Sequence, residues 1–213
     1  LRRGIGATRR VHATAGNHNN LIGLPLTVLS TPEDTEVLVL ELGMNHAGEI
    51  TRLTSVARPT VAVITNVGTS HIGLLGSREN IARAKAEIVS GMRAFDSIEP
   101  TLIQASAGDY TKFIADEFAR PARVVCKTVG ATEADVMSAQ QVTLDEEGLP
   151  TATIVAASGW SRTVTLEVPG RVVVDDLLLA LEAIETLGLD LDAAAEAIEQ
   201  MPATRMRLSV LDE

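Results

Sequence analysis

The sequence predicts an α/β fold: a mostly parallel sheet flanked by helices, with an antiparallel β-meander appended to it. Short apolar runs rich in β-branched residues alternate with helical patterns through the first 130 residues, which is typical of parallel strands joined by helices. Strand-like runs separated only by turns then follow, which indicates a meander. Because 46% of the residues are hydrophobic and only 2% are aromatic, the core must consist mainly of Val, Ile, Leu and Ala.

The parallel part, residues 1–130, is predicted from continuous apolar runs and from the helical period. Strands are expected at 10–13, 37–40, 61–64, 101–104 and 123–128, and helices at 48–57, 78–92 and 109–118. The runs 37–40 and 61–64 are continuous and not alternating, so we expect these two strands to be buried on both faces. Pro59 ends the first of the helices.

After Gly130 the alternation of strands and helices is predicted to give way to consecutive strands. Residues 131–170 are expected to hold antiparallel strands, and residues 171–213 two amphipathic helices and the start of a further strand. The strands are placed at 136–144, 151–156 and 161–168, the helices at 175–187 and 191–200, and the last strand at 206–211.

Composition excludes several classes of function. A formal charge of −10 argues against a nucleic-acid backbone as the main partner. No stretch approaches the roughly 18 apolar residues of a membrane span and no signal peptide is recognisable, so a cytoplasmic location is expected. The single cysteine, Cys126, excludes an internal disulfide and a cysteine zinc cluster, and its strand-like surroundings favour a buried structural thiol over a nucleophile.

Polar side chains follow three of the predicted strands at the point where each strand ends. Asn17 lies just beyond the first, Glu41 closes the second, and Asn66 follows the third with His71 five residues later. Ligands of open parallel sheets bind beyond the carboxyl ends of the strands. We therefore expect a carboxylate, an imidazole and several amides at one edge of the sheet.

Four segments around these positions resemble the Mur ligase family of cell-wall amide ligases. They are TAGNHNNLIGLPLT (14–27), ELGMNHAGEI (41–50), TNVGTSH (65–71) and AKAEI (84–88). The resemblance is specific over residues 12–92 and weaker beyond. It implies the family's central-domain fold and an ATP-dependent ligase that joins D-alanyl-D-alanine to UDP-MurNAc-tripeptide, with ATP and Mg²⁺ as cofactors. It also implies N- and C-terminal domains outside this sequence.

The resemblance implies roles for individual residues. Glu41 and His71 match the family's Mg²⁺ ligands, and Lys85 matches the lysine that family members carbamylate to position the metal. Carbamylation needs a neutral amine, so Lys85 would have to be partly desolvated with a lowered pKa. The resemblance gives Lys85 and His71 catalytic roles. It gives substrate-binding roles to Asn17, Asn19, Asn20 and Asn66.

Each of these roles has a structural alternative. The asparagines at 17, 19 and 20 could cap the following helix. Glu41 could form an ion pair with Arg52 or Arg58, and from that residue alone the two interpretations are equally supported. A histidine or a helical lysine without the motif would be a packing or solvated residue, and we interpret His12, His18 and His46 in that way.

The sequence departs from the family pattern at the nucleotide side. No residue run matches the phosphate-binding P-loop, and none of the three lysines follows a glycine, so that loop is expected upstream of residue 1. Val172 and Val173 stand where the family has a His-Asn pair, and Asp176 where it has Asn. Valine side chains have no donor or acceptor that could form a hydrogen bond with a purine. Residues 104–109 also depart from the family's Asn-Ala-Asp-Asp.

These departures lead to three hypotheses. The first is an incomplete and inactive fragment of the ligase. The second is a non-catalytic ligase-like scaffold or interaction module, and the third is a polyglutamate-type ligase of the same superfamily, which the 14–27 segment disfavours.

Overall fold

The structure is a computed structural model that describes residues 1–132 and 134–201. It confirms the α/β class, with parallel strands, flanking helices and an antiparallel meander. The described chain forms two compact units. We call Arg9–Lys127 the N-terminal unit; the C-terminal unit comprises Arg3–Thr8 and the described residues from Thr128 onward. The division at 130 and 170 made from the sequence stays a prediction.

The predicted elements of the described chain occur in the predicted order, and the structure adds three short helices, at 2–6, 23–29 and 72–75, that were not placed from the sequence. The helices are α1 (Arg2–Gly6), α2 (Gly23–Leu29), α3 (Glu49–Ala57), α4 (Ile72–Leu75), α5 (Arg78–Ala86), α6 (Thr111–Ile114), α7 (Val172–Thr186) and α8 (Leu191–Glu199). The strands are β1 (Val11–Ala13), β2 (Val37–Val39), β3 (Val61–Ile64), β4 (Thr101–Ala105), β5 (Val125–Gly130), β6 (Met137–Leu144), β7 (Pro150–Ala156) and β8 (Ser161–Thr165).

Parallel pairing organises the N-terminal unit. β1 pairs with β2, with Val11 opposite Val37, and β3 pairs with β4, with Ile64 opposite Gln104. β1 and β2 form a two-stranded sheet apart from the sheet that contains β3, β4 and β5. The expectation of burial on both faces is wrong for β2, whose residues are all partly exposed, and in β3 only the alternate residues Ala62 and Ile64 are buried.

The core of the N-terminal unit consists of two clusters of buried apolar residues. Helix α5 contributes to both of them: Ile81 and Ala84 belong to one cluster, and Ala82 and Ala86 to the other. One face of the helix remains exposed at Glu79, Asn80 and Arg83, whereas Lys85, between the buried Ala84 and Ala86, is only partly exposed.

The helix predicted over 78–92 ends earlier than its apolar stripe suggests. It is α-helical to Ala86 and continues as a 3₁₀ helix over Glu87–Gly91. Contacts with α3 explain the change. Thr54 Oγ1 donates to the carbonyl of Ile88 at 3.0 Å, and a Cβ at Gly91 would collide with the Thr54 backbone. The helix predicted over 109–118 likewise changes from α6 to a π-helical turn over Ala115–Ala119.

The C-terminal unit confirms the meander. The end of β5 pairs in parallel with β6, and β6, β7 and β8 pair antiparallel in order. Register shifts between Gln140 and Thr143 mark a bulge in β6. At the turn before β8, the carbonyl of Trp160 accepts from the Ala156 N–H at 2.8 Å.

Helix α7 forms much of the core of the C-terminal unit. Nine of its residues are buried, from Val174 to Ile184. It begins at Val172 and not at 175, because the turn at Gly170 (φ 104°) allows the valines to form the first helical turn. The strand predicted at 206–211 lies outside the described residues. No helix in the described ranges combines the length and apolar character that a membrane crossing requires.

Candidate functional site

The carboxyl ends of β1 and β2 bring the first predicted site residues together. These parallel strands are in register, so the segments that follow them leave the same edge. Thr14, one residue beyond β1, accepts a hydrogen bond at its Oγ1 from the backbone N–H of Glu41 at 2.9 Å. Glu41 therefore has a fixed backbone and an exposed side chain at that edge.

The side chain of Glu41 is held by an amide and not by an arginine. Asn19 Nδ2 donates to Glu41 Oε1 at 2.8 Å. Within the described residues, neither Arg52 nor Arg58 pairs with Glu41, so the structural ion pair considered from the sequence does not form. The partner is neutral, so no cation of the described residues pairs with this carboxylate.

Gly43 permits the contact between Asn19 and Glu41. The Gly43 N–H donates to the Asn19 carbonyl at 2.8 Å, which brings the two backbones together. A Cβ at Gly43 would lie 2.9 Å from the Asn19 side-chain amide. Any larger residue would displace that amide from Glu41.

Asn17, Asn19 and Asn20 have different surroundings. Asn20 Oδ1 accepts from the N–H groups of Ile22 and Gly23 at 3.0 and 2.9 Å and so caps the start of α2, as the structural alternative supposed. Asn19 instead reaches Glu41. Asn17 is exposed.

His71 lies at the end of the loop that joins β3 to α4. Its φ of 65° places it in the left-handed region, which is uncommon for a residue other than glycine. Its carbonyl accepts from the N–H groups of Leu74 and Leu75, both at 3.0 Å, which fixes this backbone against α4. Strained backbone of this kind concentrates at functional sites, so the conformation supports a role for His71.

A cleft of about 320 Å³ brings His71 together with two of the predicted asparagines. It is lined by Asn19, Asn20, Leu21, Ile22, Gly43, Met44, Asn45, Glu49 and His71. Glu41 is connected to this cleft through Asn19. Asn17, Asn66 and Lys85 are not among the lining residues.

Glu49 and Asn45 are lining residues that the sequence analysis missed. Glu49 Oε2 accepts from the N–H groups of Asn45 and His46 at 2.6 and 3.2 Å, and these bonds hold the pKa of Glu49 below its usual value. The motif of residues 41–50 could have identified them, because it contains both residues. Glu49 lies in the first turn of α3.

Lys85 has the environment that its predicted chemistry requires. It lies near the end of α5, and burial lowers the pKa of its ammonium group. Among the described residues no carboxylate forms an ion pair with it, in contrast to Lys112, which pairs with Asp116. Its role as a modified lysine stays a prediction.

The remaining predicted residues are outside the cleft or lack its chemistry. Asn66 is exposed in the loop before His71. Val172, 58% exposed, lies with Val173 in the first turn of α7. Burial and the neighbouring Asp175 raise the pKa of Asp176. His, Cys, Asp and Glu side chains of the described residues form no group of three that could hold a metal ion by themselves.

Similarity to known proteins is consistent with this arrangement. The family model of the Mur ligase middle domain matches residues 2–184. A UDP-N-acetylmuramoyl-tripeptide–D-alanyl-D-alanine ligase of Bacillus subtilis (strain 168) is 38% identical over 209 residues, which are 97% of this chain and 42% of that relative.

Two solved structures share the fold. MurF from Acinetobacter baumannii matches with a TM-score of 0.90 at 27% identity, over 99% of this chain and 44% of that one. MurF from Thermotoga maritima, solved in complex with ADP, matches with a TM-score of 0.76 at 26% identity, over 95% and 44%. The chain thus spans less than half the length of each of these three proteins.

Proposed function

Because the chain belongs to the Mur ligase middle-domain family, we propose that it supplies the metal-binding part of a cytoplasmic ATP-dependent ligase that adds D-alanyl-D-alanine to UDP-MurNAc-tripeptide. The observation that carries the proposal is the Asn19–Glu41 hydrogen bond beside a cleft that contains His71. The 38% identity with the Bacillus subtilis ligase supports the choice of substrates.

The donor set fits Mg²⁺. This cation takes one or two carboxylates, keeps several water molecules and accepts phosphate oxygens, so it does not need a cage made only of protein atoms. Glu41 offers an exposed carboxylate without a cationic partner among the described residues, and His71 offers an exposed imidazole. When bound, Mg²⁺ neutralises charge on phosphoryl oxygens. Asn19 orients the Glu41 carboxylate, as supporting residues around a metal site do.

Lys85 supplies a third ligand in this proposal. Its amine nitrogen forms a bond to the carbon of CO₂ and releases a proton, which gives an anionic carbamate with oxygen donors. The lowered pKa of Lys85 supports this step, because a larger fraction of the amine is neutral at a given pH. Lys112 is the comparison residue, since its side chain is 85% exposed.

The 213 residues alone are proposed to be inactive. They contain no P-loop sequence whose amides and lysine would bind the ATP phosphates. Val172 and Val173 also lack the polar atoms that a purine edge requires. Adding D-alanyl-D-alanine, UDP-MurNAc-tripeptide, ATP and Mg²⁺ to the chain is expected to release no phosphate, and micromolar ATP binding in a calorimetric titration would contradict the proposal.

The metal site is tested with Mn²⁺, a paramagnetic substitute for Mg²⁺. We expect Mn²⁺ to broaden the NMR signals of residues 41 and 71 selectively, and Glu41→Gln and His71→Gln each to weaken its binding by about ten-fold. Glu79→Gln is the matched control, because it removes an exposed carboxylate that forms an ion pair with Arg83 of the same helix. Equal effects of Glu79→Gln and Glu41→Gln would refute the site.

A second candidate is a non-catalytic ligase-like module, and the exposed Val172 in place of a polar residue favours it. Restoring the pair with Val172→His and Val173→Asn discriminates the two. If this double variant gains nucleotide binding, the result would support descent from an enzyme that lost its polar contacts with adenine. No gain together with no Mn²⁺ binding would support the non-catalytic module.

A further inference from the structure

Arg78, the first residue of α5, contacts two different loops. Its Nη2 donates to the carbonyl of Val67 at 2.9 Å. Its Nη1 lies 2.7 Å from Asp109 Oδ2, and its Cζ lies 5.4 Å from the centre of the Tyr110 ring. One guanidinium group thus makes a hydrogen bond, an ion pair and a cation–π contact.

The two loops follow neighbouring strands. Val67 is in the β3–α4 loop (residues 65–71), which carries Asn66 and His71. Asp109 and Tyr110 are in the β4–α6 loop (residues 106–110). Because β3 and β4 are parallel and Ile64 is opposite Gln104, both loops leave the same edge of the sheet. Arg78 links them at that edge.

The contacts of Arg78 are not those of an ordinary surface arginine. Its side chain is 39% exposed, and one of its bonds goes to a backbone carbonyl, where a charged donor is worth more than an exposed ion pair. Arg83, on the same helix, provides the contrast. It pairs with Glu79 of its own helix at 2.8 Å and lies over the Phe113 ring of α6, and these contacts within the described part of the chain reach neither loop.

We propose that Arg78 is a positioning residue that joins the β3–α4 and β4–α6 loops and thereby fixes His71 for metal binding. The metal-binding part of this inference rests on the proposed function. The joining of the loops does not, because it depends only on the contacts of Arg78. Asp109 is the acidic partner in the link, and a lysine at 78 could not contact both loops with one planar group.

Hydrogen exchange of the 213-residue chain tests the joining of the loops. Arg78→Met is expected to accelerate amide exchange in residues 65–71 and 106–110 by about ten-fold. Without the guanidinium contacts, the opening of each loop costs less free energy. Asp109→Asn, at an exposed position, should accelerate exchange in the same segments without a risk of unfolding. Arg83→Met is the matched control and should leave both segments unchanged. Unchanged exchange in Arg78→Met, or an equal effect of Arg83→Met, would overturn the proposal.

Mn²⁺ binding tests the positioning of His71. We expect Arg78→Met to raise the Kd for Mn²⁺ by about ten-fold, Arg78→Lys to raise it less, and Arg83→Met to leave it unchanged. Faster loop exchange with an unchanged Kd would overturn the positioning role. If the parent chain binds no Mn²⁺, the proposed function fails, and the exchange experiment still decides whether Arg78 joins the loops.

Discussion

Both units of the molecule have a buried apolar core, but the polar side chains described at the candidate site belong to the N-terminal unit. In the N-terminal unit, single polar side chains connect separate segments: Asn19 reaches Glu41, Arg78 reaches two loops, and Glu87 accepts from the Gly48 and Thr51 N–H groups at the start of α3. In the C-terminal unit, α7 buries eight apolar residues, and Glu182 is buried among them. The comparison indicates that small changes in the first unit alter site geometry, whereas changes in the second alter stability.

The largest effect is expected from the core of α7. Leu181 is completely buried, so Leu181→Ala should lower the free energy of unfolding by about 2–5 kcal/mol through lost burial and a cavity. Chemical denaturation followed by Trp160 fluorescence measures it. Val172→Ala, at a 58% exposed position of the same helix, should change it by less than about 0.5 kcal/mol. A comparable loss in both variants would contradict the apolar-core interpretation.

The next effect concerns the close backbone approach in the site. Gly43→Ala puts a methyl group against the Asn19 amide and should cost about 1–3 kcal/mol of stability, with weaker Mn²⁺ binding because Glu41 loses its partner. Gly73→Ala is the control, since nothing lies within 4 Å of a Cβ there. If Gly43→Ala retained the Mn²⁺ affinity of the parent chain, the Asn19–Glu41 contact would not be needed for the site.

A polar contact between α8 and β8 in the C-terminal unit gives the third prediction. Glu199 of α8 accepts from Arg162 of β8 at 2.8 Å and from the Thr165 N–H at 3.2 Å. Glu199→Ala should lower the free energy of unfolding by about 1 kcal/mol. Glu196→Ala, one turn earlier and exposed, is the control for lost charge and changed helix propensity. Equal losses would mean that the link contributes nothing measurable.

The smallest effect is a pH dependence at Lys85. Burial disfavours the ammonium form of Lys85 and lowers its pKa in the native state. Between this lowered pKa and the pKa of an ordinary lysine, the unfolded state therefore binds more protons than the native state. Stability should therefore rise with pH in that window, and Lys85→Met should remove this increase. Competitive acylation should give Lys85 a midpoint below that of a free lysine analogue. A midpoint at or above the analogue's would contradict the burial effect.

The sequence predicted the order and type of the strands and of the longer helices because their apolar periods are strong, but it did not place the short helices α1, α2 and α4. Val61–Ile64 was predicted to the residue. Errors occurred where tertiary contacts override a local pattern. The apolar stripe extends to Met92, but Thr54 and Gly91 bring α3 so close that the α-helix becomes 3₁₀ after Ala86.

Within the candidate site, predictability depended on the range of the contact. The placement of Glu41 and His71 after strands could be inferred from the chain order alone. The partner of Glu41 could not, because Asn19 is 22 residues away and three asparagines compete for the same role. Arg78 was missed because its contacts with Val67 and Asp109 exist only after two loops come together.

The placement of Trp160 and Cys126 has a practical consequence. The chain has one tryptophan and one cysteine, and they belong to different units: the indole to the C-terminal unit and the thiol to the N-terminal unit. Burial raises the pKa of the Cys126 thiol and keeps it in its less reactive form in the native state. Emission spectra and thiol-trapping rates therefore follow a residue in each unit during unfolding without introducing a dye or a substitution.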